Sequence, residues 1–314
     1  MTAVPTDWRA DPASAGCAVM RTAHIFRDAG LSGPERDSRI LVGAAAGIDQ
    51  ARLLASPDLR LEPQQERALA DCVRRRLARE PVSRILGQRG FFGREFAVTP
   101  ATLDPRPDSE TLIEAVLELV SEEEWAGPLR VLDIGTGSGC LLVTILAELP
   151  GATGVGVDIE SGALLTAKDN AERHGVAARA SFICEGDLDA LAGDFDIIVT
   201  NPPYVPTAEI VGLEPEVRDY DPLVALDGGP DGLDFYRRIA RNLPRLAPEG
   251  WALLEVGAGQ ADAVCDVLVK MPSSSGEADV RRFRDLDGRD RCVAWKARRT
   301  RVSTKSLGIQ EAPR

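Results

Sequence analysis

Between residues 130 and 149 the chain reads RVLDIGTGSGCLLVTILAEL, and this stretch constrains the fold most tightly. A short apolar run that fits a buried strand enters a turn with glycine at 135, 137 and 139, and an apolar helix follows at once. A strand that runs straight into a helix cannot return as a hairpin, so the helix crosses the sheet before a parallel strand begins. The alternation continues, with strands expected at 153–157, 180–184, 195–200 and 251–256 and helices at 162–174, 233–246 and 260–269. An amphipathic helix at 109–120 precedes the series, and two strands, near 280–284 and 291–295, close it. Repeated βα units predict a parallel sheet covered on both faces, a Rossmann-like α/β domain over 109–296.

Upstream the pattern changes. Apolar positions at helical spacing over 17–30, 35–46 and 63–80, with Pro63 at a helix start and Pro81 past its end, predict a small all-helical domain over 17–85. Residues 86–108, rich in Gly, Phe and Pro, read as a hairpin linker. The polar ends, 1–16 and 297–314, are expected to be disordered. Arg74, Arg75, Arg76, Arg79 and Arg84 read as a solvated helix face, or else as a contact surface for a nucleic-acid-rich partner.

Composition removes several function classes. Six cysteines without a C-x-x-C pair, beside two histidines, offer neither a disulfide framework nor a zinc site, and no metal is expected. No apolar run reaches membrane-spanning length, and MTAVPTDWRADPAS lacks the segments of a signal peptide, so a cytoplasmic protein is expected. With 37 Lys+Arg against 49 Asp+Glu, the net charge of -12 opposes nonspecific grip on a phosphate backbone.

The glycine turn lets a ligand lie against the backbone, ahead of the free N–H groups of a helix start. A dinucleotide fingerprint would place glycine where Cys140 stands. Asp133, just before the turn, suits a cationic amine better than a pyrophosphate, and Asp158, ending the next strand, sits where carboxylates hold ribose hydroxyls. A second constellation is FDIIVTNPPYVP, residues 195–206. Its strand stops at Asn201-Pro202-Pro203-Tyr204, because proline has no N–H for a ladder. The asparagine oxygen and the proline carbonyls offer acceptors to a substrate NH₂, and Tyr204 offers a ring face to a planar group. Without a ligand, the same tetrapeptide is a strand terminator.

Together these residues resemble the class I S-adenosylmethionine-dependent methyltransferases. The resemblance implies that Asp133, Gly135, Thr136, Gly137, Ser138, Gly139 and Asp158 hold S-adenosylmethionine, with Asn201 beside it. Asp187 falls where the family contacts adenine, and Leu188 stands where many relatives carry an aromatic residue. Asn201 to Tyr204 matches the family's signature for methylating an NH₂ on a planar group, shared by glutamine-amide and adenine-amino enzymes. The stretches REPVSRILGQRGFFGREFAV, TPATLDPRPDSETLIE and VRDYDPLVALDGGPDGLDFYRRI resemble the HemK/PrmC family, the peptide chain release factor glutamine methyltransferases, over residues 18–296. Asp104 departs from that pattern, where many members have an apolar residue.

This second resemblance implies methyl transfer to the side-chain amide nitrogen (N5) of the glutamine in the Gly-Gly-Gln motif of class I release factors. Asn201, Pro202 and Tyr204 would be catalytic, and Asn201, Pro202, Pro203 and Tyr204 would bind substrate. The expected protein is a monomer that binds neither DNA nor membrane. An adenine-amino methyltransferase acting on nucleic acid is the alternative, and a noncatalytic module that keeps the fold is a third possibility. Arg106, Glu110, Glu216, Arg218, Asp227 and Asp231 read either as surface ion pairs or as residues shaping the cleft, and none is assigned to catalysis. His24 and His174 are read as core or surface residues.

Overall fold

A computed structural model of the chain describes residues 14–123, 125, 127–270 and 278–297. The disorder expected for the two ends lies outside these residues, apart from 14–16 and Ala297. The described chain forms two compact units. The first takes in residues up to Gly90, then Glu95–Asp104, then Val211–Leu223; the second takes in Phe91–Arg94, Pro105–Ile210 and the chain from Val224 onward.

Five helices build the first unit: α1 (Ala15–Asp28), α2 (Pro34–Ala46), α3 (Gln50–Ala55), α4 (Pro63–Leu77) and α5 (Val82–Leu86). The short α3 and α5 escape a reading by periodicity, which needs more turns than they contain. Local chemistry sets the helix starts. The Ser14 hydroxyl accepts from Cys17 N, the Asp49 carboxylate accepts from Arg52 N at 2.7 Å, and Gln65 and Glu62 close a capping box on α4. Phe26, Leu41, Val42, Leu53, Leu69 and Val73 pack together behind them. The strands β1 (Gln88–Phe91) and β2 (Arg94–Ala97) form the expected hairpin.

The arginines of this unit are not the solvated face that their run suggests. Arg76 is 3% exposed, with Nε 2.9 Å from Asp37 Oδ2 and Nη1 3.0 Å from Glu216 Oε1. Arg79 reaches the other Glu216 oxygen at 2.9 Å, and Arg75 Nε reaches Glu80 at 2.8 Å. Arg84 pairs with Asp221 at 2.8 Å and also donates to the carbonyls of Thr99 and Thr102. Among the five, Arg74 alone is mainly exposed. The reason is topological: Val211–Leu223, far along the chain, belongs to this unit and brings Glu216 and Asp221 with it. The expected domains, 17–85 and 109–296, contain no such exchange.

The second unit holds α6 (Glu110–Glu122), β3 (Arg130–Ile134), α7 (Cys140–Glu148), β4 (Thr153–Asp158), α8 (Ser161–Arg173), β5 (Ala180–Cys184) and β6 (Ile197–Thr200). After α9 (Pro215–Arg218), which lies in the excursion to the first unit, come α10 (Asp234–Leu246), β7 (Trp251–Glu255), α11 (Ala261–Val269), β8 (Ala278–Arg284) and β9 (Asp290–Ala297). The seven-stranded sheet has the order β5-β4-β3-β6-β7-β9-β8. Its first five strands are parallel, as expected, whereas β9 runs antiparallel to both β7 and β8. A short turn without a crossover helix joins β8 to β9, and such a connection permits only antiparallel pairing.

Register positions the site. Asp133 pairs with Val199 and Ile134 with Thr200, while Thr200 pairs with Leu254. The carboxyl ends of β3, β6 and β7 therefore lie level, with Asp133, Asn201 and Glu255 at one edge of the sheet. Strand order reverses between β3 and β6, the place where open α/β sheets form their ligand crevice.

Candidate active site

The glycine turn after β3 is held from two sides. Gly135 and Thr136 donate backbone N–H groups to the Val157 carbonyl on β4, at 2.9 and 3.0 Å. From α8, the Asn170 amide donates to the Ser138 carbonyl at 2.8 Å. Gly139, at φ +77, is where α8 comes closest: a Cβ there would stand 3.0 Å from Cβ of Ala167. A side chain at 139 would push the helix off the turn.

Asp133 is fully buried beneath this turn. Its Oδ2 accepts from the Thr136 hydroxyl at 2.7 Å, while Oδ1 has no hydrogen-bond partner among the described residues. Burial pushes the Asp133 pKa up to about 7, against the lowering effect of the Thr136 and Leu142 donors, and the nearby Asp158 charge adds to the rise. Asp158 accepts from Gly137 N at 2.8 Å and from Glu160 N at 3.0 Å, which aims its carboxylate along the turn. Asp187 Oδ1 accepts from Asp189 N at 3.0 Å, capping a short helical turn. Leu188 is 3% exposed, and its side chain belongs to the core around Tyr236 and Leu191, so that side chain is not presented to a ligand. Two apolar side chains lie open near Asp158: Ile159, the next residue, 55% exposed, and Ile183 on β5, level with Val157, 47%.

The loop after β6 is braced from behind. The Tyr204 carbonyl accepts from Gln260 Nε2 at 2.9 Å, and Gln260 Oε1 accepts from Gly257 N at 3.1 Å. Residues 226–232 run alongside: Val205 N donates to the Leu226 carbonyl, Gly228 N to the Val205 carbonyl and Thr207 N to the Gly229 carbonyl. Contact is so close that a Cβ at Gly228 would fall 2.8 Å from the Pro203 carbonyl, and one at Gly232 would fall 2.4 Å from the Tyr204 carbonyl. This explains the glycines of LDGGPDGLD.

Asn201 is oriented by Ser109, at the start of α6. Its Nδ2 donates to the Ser109 hydroxyl at 3.0 Å, and Ser109 is in turn hydrogen-bonded to the Glu255 carboxyl. Although Ser109 stands at the cap position of α6, its side chain makes no cap bond. Among the described residues no hydrogen bond ends on Asn201 Oδ1 or on the Pro202 carbonyl. Burial raises the Tyr204 phenol above its ordinary range, with the Glu255 charge adding to the effect.

The flanking charged residues have structural partners. Glu110 Oε1 accepts from Phe92 N at 2.8 Å, and Asp227 accepts from the Thr207 hydroxyl and Gly229 N at 2.6 and 3.0 Å. Asp231 pairs with Arg237 and accepts from Leu233 N, Arg218 pairs with Asp219, and Glu216 lies with Arg76 and Arg79 in the first unit. His24 sits on an exposed face of α1 beside Asp28, and His174 is at the C-terminal cap of α8.

Residues 18–87 match the PrmC N-terminal domain, and residues 109–212 match the methyltransferase small domain. The release factor glutamine methyltransferase of Rhodospirillum rubrum is 45% identical over 279 residues, 88% of this chain and 83% of that one. That of Geobacter sulfurreducens is 43% identical over 278 residues, 88% of this chain and 94% of the relative. The chain belongs to the release factor glutamine methyltransferase family. Among solved structures, the hMettl16 catalytic domain in complex with MAT2A 3'UTR hairpin 1 matches with a TM-score of 0.52 at 19% identity. It covers 76% of this chain and 82% of that chain, a likeness of fold.

The chain is thus a Rossmann-like methyltransferase dependent on S-adenosylmethionine. Its own residues fit that cofactor. The unpartnered Oδ1 of buried Asp133 can accept from an ammonium group, and the carboxylate of Asp158 keeps lone pairs for a diol. No group of His, Cys, Asp and Glu suited to a metal ion occurs among the described residues, and no helix there is long and apolar enough to cross a membrane.

Proposed function

We propose that this member of the release factor glutamine methyltransferase family methylates the side-chain amide nitrogen (N5) of the glutamine in the Gly-Gly-Gln motif of class I release factors. One observation carries the reading of the site. In the loop Asn201–Tyr204 the Tyr204 carbonyl is engaged by Gln260 and the Pro203 carbonyl is packed on Gly228, while Asn201 Oδ1 and the Pro202 carbonyl are acceptors with no hydrogen bond among the described residues. Two acceptors match the two hydrogens of a primary amide.

An amide nitrogen is a poor nucleophile, because its lone pair is delocalised into the carbonyl. Asp133, the glycine turn and Asp158 would hold S-adenosylmethionine, which would supply an electrophilic methyl group on its sulfonium and leave as the neutral thioether, while the amide nitrogen would give one proton to water. Asn201 and Pro202 hold the amide hydrogens so that the lone pair faces the methyl group, and they favour the positive charge that develops on nitrogen. Tyr204 supplies a face for the planar amide, and Pro203 keeps the loop stiff. Asp133, Thr136, the glycines 135, 137 and 139, Ser138 and Asp158 hold the methionine and ribose ends. Asp187, with the backbone at Leu188, lies where adenine is expected, and Ile159, against the neighbouring Gly186, adds open apolar surface there. The reading carries with it a monomeric enzyme working in the cytoplasm.

The test is to incubate the protein with isotopically labelled cofactor and either a class I release factor or adenine-containing DNA, and to locate the label by mass spectrometry. Label on the Gly-Gly-Gln glutamine is the expected result. Label on adenine alone would overturn it.

A further inference from the structure

Ser109 and Glu255 come from distant parts of the second unit's sequence, and both stand behind Asn201. Ser109 precedes α6, Glu255 ends β7, and both are about 2% exposed. Glu255 Oε2 has no hydrogen-bond partner among the described residues, so Ser109 carries the contact between this carboxyl and the rest of the site. We propose that Ser109 and Glu255 are positioning residues: the hydrogen-bond chain from Asn201 through Ser109 to Glu255 sets which end of the Asn201 amide faces the substrate nitrogen, and the charge on Glu255 sets the direction of that chain. This inference rests on Asn201 being an acceptor for the substrate amide.

A serine hydroxyl has one hydrogen, and an ionised carboxylate can only accept. With Glu255 charged, Ser109 gives its hydrogen to the carboxylate and turns a lone pair to Asn201. Only Nδ2–H can meet that lone pair, as observed at 3.0 Å, and Oδ1 is left facing the substrate. With Glu255 protonated, its O–H can donate to Ser109, whose hydrogen then goes to Asn201 Oδ1. The Asn201 amide would turn over, and an NH₂ would confront the substrate NH₂. Donor facing donor neither orients the amide nor stabilises positive charge on it.

Glu255 titrates where such a device is useful. Burial pushes its pKa up to about 7, the Ser109 hydrogen bond opposes the rise, the Asp108 charge adds to it, and Arg291 and Arg106 oppose it. The other titratable groups around it are Tyr204, Tyr236, Cys292 and Cys140. Each is shifted upward by burial and stays neutral near pH 7, so none competes with Glu255 there. Asp133 does titrate in the same range, but it acts on cofactor affinity, which saturating cofactor removes from the measurement.

Single-turnover transfer to a class I release factor at saturating S-adenosylmethionine, followed from about pH 5.5 to 9, tests this. The wild-type rate should fall as pH drops through about 7. Ser109→Ala should slow transfer about tenfold at pH 8, the effect of one lost orienting hydrogen bond, with cofactor affinity by calorimetry within about twofold. Ser109→Thr, which keeps the hydroxyl, should restore the rate. Glu255→Gln should be slower at pH 8 and should lose the acid limb. Unimpaired transfer by Ser109→Ala, or an unchanged acid limb in Glu255→Gln, would overturn the inference while leaving the proposed function standing. A wild-type protein that labels no release factor would overturn both.

Discussion

At the scale of single residues, two buried acids dominate the behaviour of the site with pH. Asp133 and Glu255 are both raised to about 7 by burial, so each is neutral in the fold over a range where it is charged in the unfolded chain. For Asp133, which we propose holds the cofactor's amino group, the consequence is in binding. A cationic amino group prefers the charged carboxylate, so cofactor affinity should be level above about pH 7 and weaken by up to about tenfold per pH unit below it. Calorimetric titration across that range checks this, and Asp133→Asn should bind weakly with a flat profile. For Glu255 the consequence is in stability. A carboxyl whose folded pKa lies above its unfolded value contributes stability that is full below about pH 4.5 and is lost as pH rises through about 7. The loss is on the order of 3 kcal/mol. Glu255→Gln should therefore raise Tm at pH 8 and make little difference near pH 4.5. A variant equally stable at both pH values would show that the carboxyl is solvated. Gain in stability with loss of transfer is the trade expected of a strained functional group.

At the scale of elements, the loop after β6 depends on the segment that backs it. Gly232 has φ +75, and a Cβ there would stand 2.4 Å from the Tyr204 carbonyl and 2.7 Å from Gln260 Nε2. Gly232→Ala would collide with the hydrogen bond that anchors Tyr204. We expect it to cost about 2 kcal/mol and to reduce transfer at least tenfold, with cofactor affinity nearly kept. Thermal unfolding beside single-turnover rates separates the two effects, and a variant with normal transfer would show that the backing segment does not hold the loop. The Asn-Pro-Pro-Tyr loop itself was legible in the sequence because proline forces the strand to stop. Its supports at Gly228, Gly232 and Gln260 were not, because a glycine needed for close approach looks in sequence like any glycine in a loop.

At the scale of the whole chain, the first unit is completed by residues that follow the candidate site in sequence. Arg76 is the joint: buried, it faces Asp37 from the same unit's α2 and Glu216 from α9. Arg76→Ala leaves the buried Asp37 carboxylate with only Arg36, at 3.7 Å, and Glu216 with only Arg79, for a loss of about 3 kcal/mol. Hydrogen exchange read by mass spectrometry should then show Val211–Leu223 and α4 losing protection together while β3, β6 and β7 keep theirs. Loss confined to α4 would show that the late segment is held by other contacts.

The sequence by itself determined the βα alternation, the glycine turn, the rigid acceptor loop and the two acids at Asp133 and Asp158, because periodicity, proline and glycine act locally. Similarity over the length of the chain supplied the family. Only the tertiary structure decided the antiparallel edge, the burial of the arginines and the chain from Asn201 through Ser109 to Glu255. Ser109, Asn201 and Glu255 are separated by many tens of residues and come together through strand order. A serine before a helix and a glutamate ending a strand carry no mark of one another until the sheet sets them side by side.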